Sequence, residues 1–175
     1  MKEPLPKQIG IKIPKTAEGI LPYVNEVLGL LHQHIELSED KVRKIKLIII
    51  ELVTNSIKHS KDDNALIEFT FNHPTLTIQK VDKGLQIEFA GDSEQIPFVE
   101  LDRTIQVHLS ESQQHHIKII DPYRFKFVDN YQEGMSIEFM PEHFGLYIIT
   151  LASDSFIYEH NPESLENRFI VHLNL

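Results

Sequence analysis

Three polar residues recur in register along the most aliphatic segment of the chain. In Ile45-Lys46-Leu47-Ile48-Ile49-Ile50-Glu51-Leu52-Val53-Thr54-Asn55-Ser56-Ile57-Lys58-His59, the residues Glu51, Asn55 and His59 recur at every fourth position. On a helix each is one turn on from the last and about 40° further round, so the three make a polar stripe. Glu51 is the only acidic residue of the segment and lies among Leu47, Ile48 and Leu52. A carboxylate placed so is partly desolvated, which raises its pKa and suits it to general-base work. Asn55 offers an amide oxygen one turn away, a donor for a hard cation such as Mg²⁺. The solvated face of an ordinary amphipathic helix has the same spacing, so spacing alone leaves both readings open.

The other candidates are weaker. His32 and His34 are two apart on an expected helix and point in different directions. His115 and His116 are adjacent and face opposite ways on a strand. With no cysteine and no His-x-x-x-His, no transition-metal site is expected. Asp121-Pro122-Tyr123, with Phe125 and Phe127 after it, reads as a packed hairpin. No Gly-x-Ser-x-Gly nucleophile elbow occurs.

Charge narrows the partners. Seventeen basic and 26 acidic residues leave a net charge of −9, which repels a phosphate backbone and an anionic membrane surface. Neither nucleic acid nor membrane is therefore expected as a partner. Protonating the ten histidines would bring the charge close to neutral, so solubility should fall below about pH 6.5. The absence of cysteine suits a reducing compartment. The N-terminal residues carry no apolar signal core, and Leu47 to Val53 falls far short of the roughly 18 residues of a membrane span. A cytoplasmic location is the expectation.

These residues need elements to position them. At 175 residues the chain fits one domain, 1–175. Ile9, Ile11 and Ile13 alternate as a strand, and Pro14 ends it. Ile20, Tyr23, Val24, Val27, Leu28 and Leu31 predict a helix to about His34. Ser38 opens the helix of the polar stripe, with Glu39 and Asp40 suited to its positive end. Residues 61–64 stop it. Ile67, Phe69 and Phe71 predict one strand; Leu76, Ile78 and Val81 predict the next. Asp82-Lys83-Gly84 reads as a hairpin turn into a strand at Leu85, Ile87 and Phe89. Phe98 to Leu109 fits helix and strand equally badly. Ile117 and Ile119, then Phe125 and Phe127, predict a hairpin. Glu133-Gly134 is a turn candidate, with Ile137 and Phe139 alternating after it. Phe144 to Ala152 predicts a short buried helix. Phe156 to Tyr158 and Phe169 to Leu173 are closing strands around a turn at 161–164. Grouped helices and grouped strands predict an α+β sandwich, helices on one face of a mostly antiparallel mixed sheet.

Glu51-Leu52-Val53-Thr54-Asn55-Ser56-Ile57-Lys58-His59 resembles the N box of the GHKL, or Bergerat-fold, ATPases. The branch it looks most like is the anti-sigma-factor serine kinases, whose N box commonly reads Glu-x-x-x-Asn-x-x-x-His. Element order is similar across most of the chain except residues 93–143. There a β-rich insert would replace the ATP lid. Phe144-Gly145-Leu146 resembles the start of the family's Gly-x-Gly-Leu helix, with His143 at the first glycine. Phe89-Ala90-Gly91-Asp92 resembles the approach to the Asp-x-Gly-x-Gly box, without the two glycines that follow.

The resemblance implies ATP and Mg²⁺ as cofactors. Glu51 would polarise the attacking hydroxyl, and Asn55 would ligate Mg²⁺ on the ATP phosphates. His59, Asp92, Gly145 and Leu146 would shape the nucleotide pocket, Asp92 holding the adenine amino group. It further implies a bacterial-type signalling role with a regulatory protein partner, a sigma factor or an anti-sigma antagonist, and admits a homodimer. The alternative is a GHKL-fold binding module that has lost nucleotide. The glycine count bears on that choice. There are seven, and no two form a Gly-x-Gly, so few places let backbone approach a phosphate closely.

Overall fold

The computed structural model describes residues 8–91, 94–110, 113–129 and 145–175. Strand β1 (Ile9–Lys12) leads through a single 3-10 turn to α1 (Ile20–His34) and α2 (Glu39–His59). A hairpin follows, β2 (Leu66–Asn72) and β3 (Thr75–Lys83), then a meander of β4 (Thr104–Ser110), β5 (Gln113–Asp121) and β6 (Arg124–Val128). Helix α3 (Gly145–Ala152) precedes the closing hairpin of β7 (Ser155–Asn161) and β8 (Glu166–Asn174).

Local chemistry sets the ends of α2. The Ser38 side chain accepts from the Lys41 amide at 3.3 Å, Glu39 and Asp40 fill the first turn, and Lys58 and His59 fill the last. The acidic residues and Lys58 complement the helix dipole where they stand. Asn161 closes the β7–β8 turn by accepting from the Glu163 and Ser164 amides.

The eight strands form one open sheet in the order β1-β2-β3-β8-β7-β6-β5-β4. Every described pairing is antiparallel, so the parallel component of a mixed sheet is not found among the described residues. The register puts Ile67, Phe69, Leu76, Ile78, Val171, Leu173, Phe156 and Tyr158 on one face. That face joins Val24, Val27 and Leu31 of α1, Ile45, Ile49 and Leu52 of α2, and Ile149 of α3 in one core. The result is an α+β protein with an open antiparallel sheet and three described helices on one side of it.

The described residues of 93–143 are β-rich, as expected. Their strands do not stand apart, because β6 pairs with β7 and so extends the main sheet. Phe98 to Arg103 carries no strand or helix, and the strand begins at Thr104. The expected turn at Glu133-Gly134 and the alternation at Ile137 and Phe139 lie outside the described residues.

The strand expected at Leu85–Phe89 does not form, and Asp82-Lys83-Gly84 is not a hairpin turn. Both edges of β3 are already taken, by β2 and β8, so no strand could pair there. The backbone finds other partners. Gly84 N–H donates to Leu165 O (2.8 Å), Ile87 N–H to the Tyr158 hydroxyl (3.0 Å), and Ala90 N–H to His108 O (2.6 Å). Phe89 exchanges two hydrogen bonds with the Gln95 side chain. Phe89 and Phe98 then pack on Phe125. This irregular segment covers the part of the sheet that the meander adds.

Candidate functional site

The stripe on α2 faces a cavity of about 1040 Å³ between the helices and one end of the sheet. Its roof holds Glu51, Asn55, Lys58 and His59; Gly145 and Leu146 of α3 close one side. Glu51 and Asn55 are half-buried, and His59 lies exposed at the mouth. Burial pushes the Glu51 carboxyl above its usual range, with Lys58 opposing the shift.

A side chain at Gly145 would have to displace the end of the Glu51 side chain. A Cβ there would collide with Glu51 Oε2 and lie 3.6 Å from Asn55 Nδ2. Residues 94 positions apart in sequence thus meet, and glycine is what permits the approach.

The floor was not legible as a site. On β3 the inward phase runs Leu76, Ile78, Lys80, Asp82; on β8 it ends in Phe169 and Asn167; on β7 it ends in Tyr158 and His160. Lys80, Asp82, Asn167 and His160 are all buried. Lys80 Nζ pairs with Asp82 Oδ2 at 2.5 Å and sits 4.5 Å from the centre of the Phe169 ring. Asn167 Nδ2 donates to Asp82 Oδ1 (3.2 Å) and Leu85 O (3.1 Å). Its Oδ1 accepts from the Tyr158 hydroxyl (2.6 Å) and from His160 Nδ1 (2.8 Å). Burial raises the Tyr158 pKa well above its ordinary value, so the hydroxyl is a neutral donor here. The usable signal was phase: choosing Val81 as the next inward residue after Ile78 breaks the period of two, whereas Lys80 and Asp82 keep it.

Three further lysines stand at the mouth. Lys58, Lys61 and Lys83 line the cavity and are exposed, and none has a carboxylate at ion-pair distance among the described residues. Leu85, Ile87, Leu146 and Phe169 supply apolar wall. Of the expected site residues, the structure brings Glu51, Asn55, His59, Gly145 and Leu146 to one cavity. Asp92 and His143 lie outside the described residues.

The donor set can be tested against Mg²⁺ and a nucleotide. Among the described residues no three His, Asp or Glu side chains gather as a metal site. Asn55 offers one amide oxygen, which suits a Mg²⁺ that takes its remaining ligands from phosphate and water. The volume suits a ligand of nucleotide size, and the lysine rim suits an anion on a chain that is acidic overall. The residues present fit both groups. No family model matches the chain, and no curated protein matches it.

Proposed function

We propose that this chain is an ATP-binding domain of the GHKL type, with a Bergerat-like fold close to the anti-sigma-factor serine kinases. The observation that carries the reading is the cavity itself: Glu51, Asn55 and Gly145 converge on an open space whose mouth holds Lys58, Lys61 and Lys83.

The roles follow from chemistry and position. Asn55 Oδ1 ligates Mg²⁺, and the three lysines neutralise phosphate in place of glycine-loop amides. Leu146, Ile87 and Phe169 hold a planar base. Asp82 followed by Gly84 at the end of β3 takes the adenine-amino role that the sequence suggested for Asp92. Mg²⁺–ATP, when bound, supplies a phosphoryl group. Glu51, readier than an exposed glutamate to accept a proton, orients the attacking hydroxyl by taking its hydrogen. The hydroxyl belongs to a regulatory protein partner in a cytoplasmic signalling pathway.

Titration calorimetry tests the reading. Mg²⁺–ATP should give a binding heat that shrinks when Mg²⁺ is omitted, and Asn55→Ala should abolish that Mg²⁺ dependence. No heat with ATP or ADP, with or without Mg²⁺, overturns it. A second reading, a module acting by protein contact alone, draws on Val99, 92% exposed, and Leu101, 43% exposed, on one loop. Under it, Glu51→Ala leaves regulatory activity intact; under the ATP reading, phosphoryl transfer is lost while nucleotide binding persists.

A further inference from the structure

The floor of the cavity is built at a cost that packing alone does not explain. Lys80 and Asp82 are each more than nine-tenths buried, and a buried ion pair is weak support for stability because both ions lose their water. Apolar residues of similar volume would serve a purely structural floor as well or better. What the pair provides instead is chemistry facing a void. The Lys80 ammonium has three protons. One is directed to Asp82 Oδ2 and the Phe169 ring lies against the group, and no other acceptor is described for it. Asp82 accepts one bond at each oxygen, from Lys80 and from Asn167, and each oxygen has a lone pair left. Asn167 cannot rotate to satisfy either, because its four bonds to Asp82, Leu85, Tyr158 and His160 fix both ends of the amide. The floor thus presents a fixed donor beside a fixed acceptor.

We propose that Lys80 is a specificity-determining residue of the nucleotide site: its ammonium donates to ring N1 of the base while Asp82 accepts from the exocyclic amine. This rests on the ATP reading of the cavity. An amine beside a bare ring nitrogen is the edge of adenine. Inosine and guanine present a carbonyl beside an N–H, which in the same pose sets oxygen against Asp82 and hydrogen against Lys80. Two mismatches replace two charge-assisted bonds, so the floor rejects them.

The test compares ATP, ITP and 1-deaza-ATP, which lacks only the N1 acceptor, by calorimetry with Mg²⁺ present. The wild-type protein should bind 1-deaza-ATP about tenfold or more weakly than ATP, the loss of one bond to a charged donor. ITP should be weaker again. In Lys80→Met the ATP to 1-deaza-ATP ratio should collapse to near one. A wild-type ratio near one, a preference for ITP, or a ratio unchanged in Lys80→Met overturns the role of Lys80 while ATP binding still stands. Failure of all three to bind overturns both this role and the ATP reading. The wild-type comparison needs no variant, so it decides the matter even if Lys80→Met does not fold.

Discussion

Two ends of the same interlayer space behave differently, although the same strands and the same helix build both. Toward the β2–β3 turn the inward rows are Phe69, Ile78, Val171 and Phe156, then Leu76 and Leu173, closed by α1 and the first half of α2. Toward the far end of β3 the inward rows become Lys80, Phe169 and Tyr158, then Asp82, Asn167 and His160, and the space opens into a cavity. Neither the pleat nor the helix changes at the transition; only the side chains do. The lesson is that a polar residue in the apolar phase of a strand marks a site when its neighbours on the next strands are polar too.

The largest expected effect separates the two ends by what each does with charge. Lys80→Ala leaves Asp82 buried without its cation and should cost about 3–5 kcal/mol in chemical denaturation. Replacing both partners, Lys80→Met with Asp82→Leu, should restore most of that stability without restoring the proposed preference for adenine. A double variant as unstable as the single one would mean that the polar end is needed for folding, and the contrast would fail.

A lone polar group outside the cavity should behave in the opposite way. His115 lies on the inward face of β5, opposite Val107 and edge-on to the Phe127 ring. Burial, helped by neighbouring His116, pulls its pKa down to about 4. Between that value and the ordinary 6.5 of the unfolded chain, the unfolded state holds the extra proton. Stability is therefore full above about pH 6.5 and falls as pH drops toward 4, by roughly 3 kcal/mol in all. Denaturation midpoints across that window should follow this slope, and His115→Leu should flatten it. An unchanged slope in the variant would assign the effect to other groups.

Most of the fold could be read from the sequence because it rests on period. The stripe of α2, its Ser38 cap and the closing strands all follow from spacing that one side chain cannot disguise. Glu51 and Asn55 were expected together because they share a helix face, and Gly145 only through the resemblance to the Gly-x-Gly-Leu helix; the three line one cavity. The strand expected at Leu85 to Phe89 failed for a reason that spacing cannot carry: pairing needs a free edge, and β8, some eighty residues later, had taken it. The floor was missed for the same kind of reason. Asp82 resembled a turn residue until β8 and β7 set Asn167 and His160 beside it.

At the packed end, Ile78→Val should cost about 1 kcal/mol, the price of one buried methylene, with no change in ligand binding. A loss of nucleotide affinity in that variant would mean that the two ends are coupled through β3 and are not separate.

Gly145→Ala should have the smallest effect on stability and a large one on function. Removing glycine from a helix favours folding by up to about 1 kcal/mol. The new Cβ collides with Glu51 Oε2, the far end of a flexible side chain, so the carboxylate swings aside and offsets that gain only in part. The melting temperature should barely move. On the proposed ATP reading, phosphoryl transfer should nevertheless fall, because the carboxylate no longer stands where Gly145 lets it stand, and a displacement of about 1 Å can reduce a rate about a hundredfold. Shortening the acid makes room for the methyl, so Glu51→Asp in the Gly145→Ala background should lose less activity than Glu51→Asp does in the wild type. If the two losses simply multiply, the Glu51–Gly145 contact has no part in the chemistry, and Gly145 is retained for packing alone.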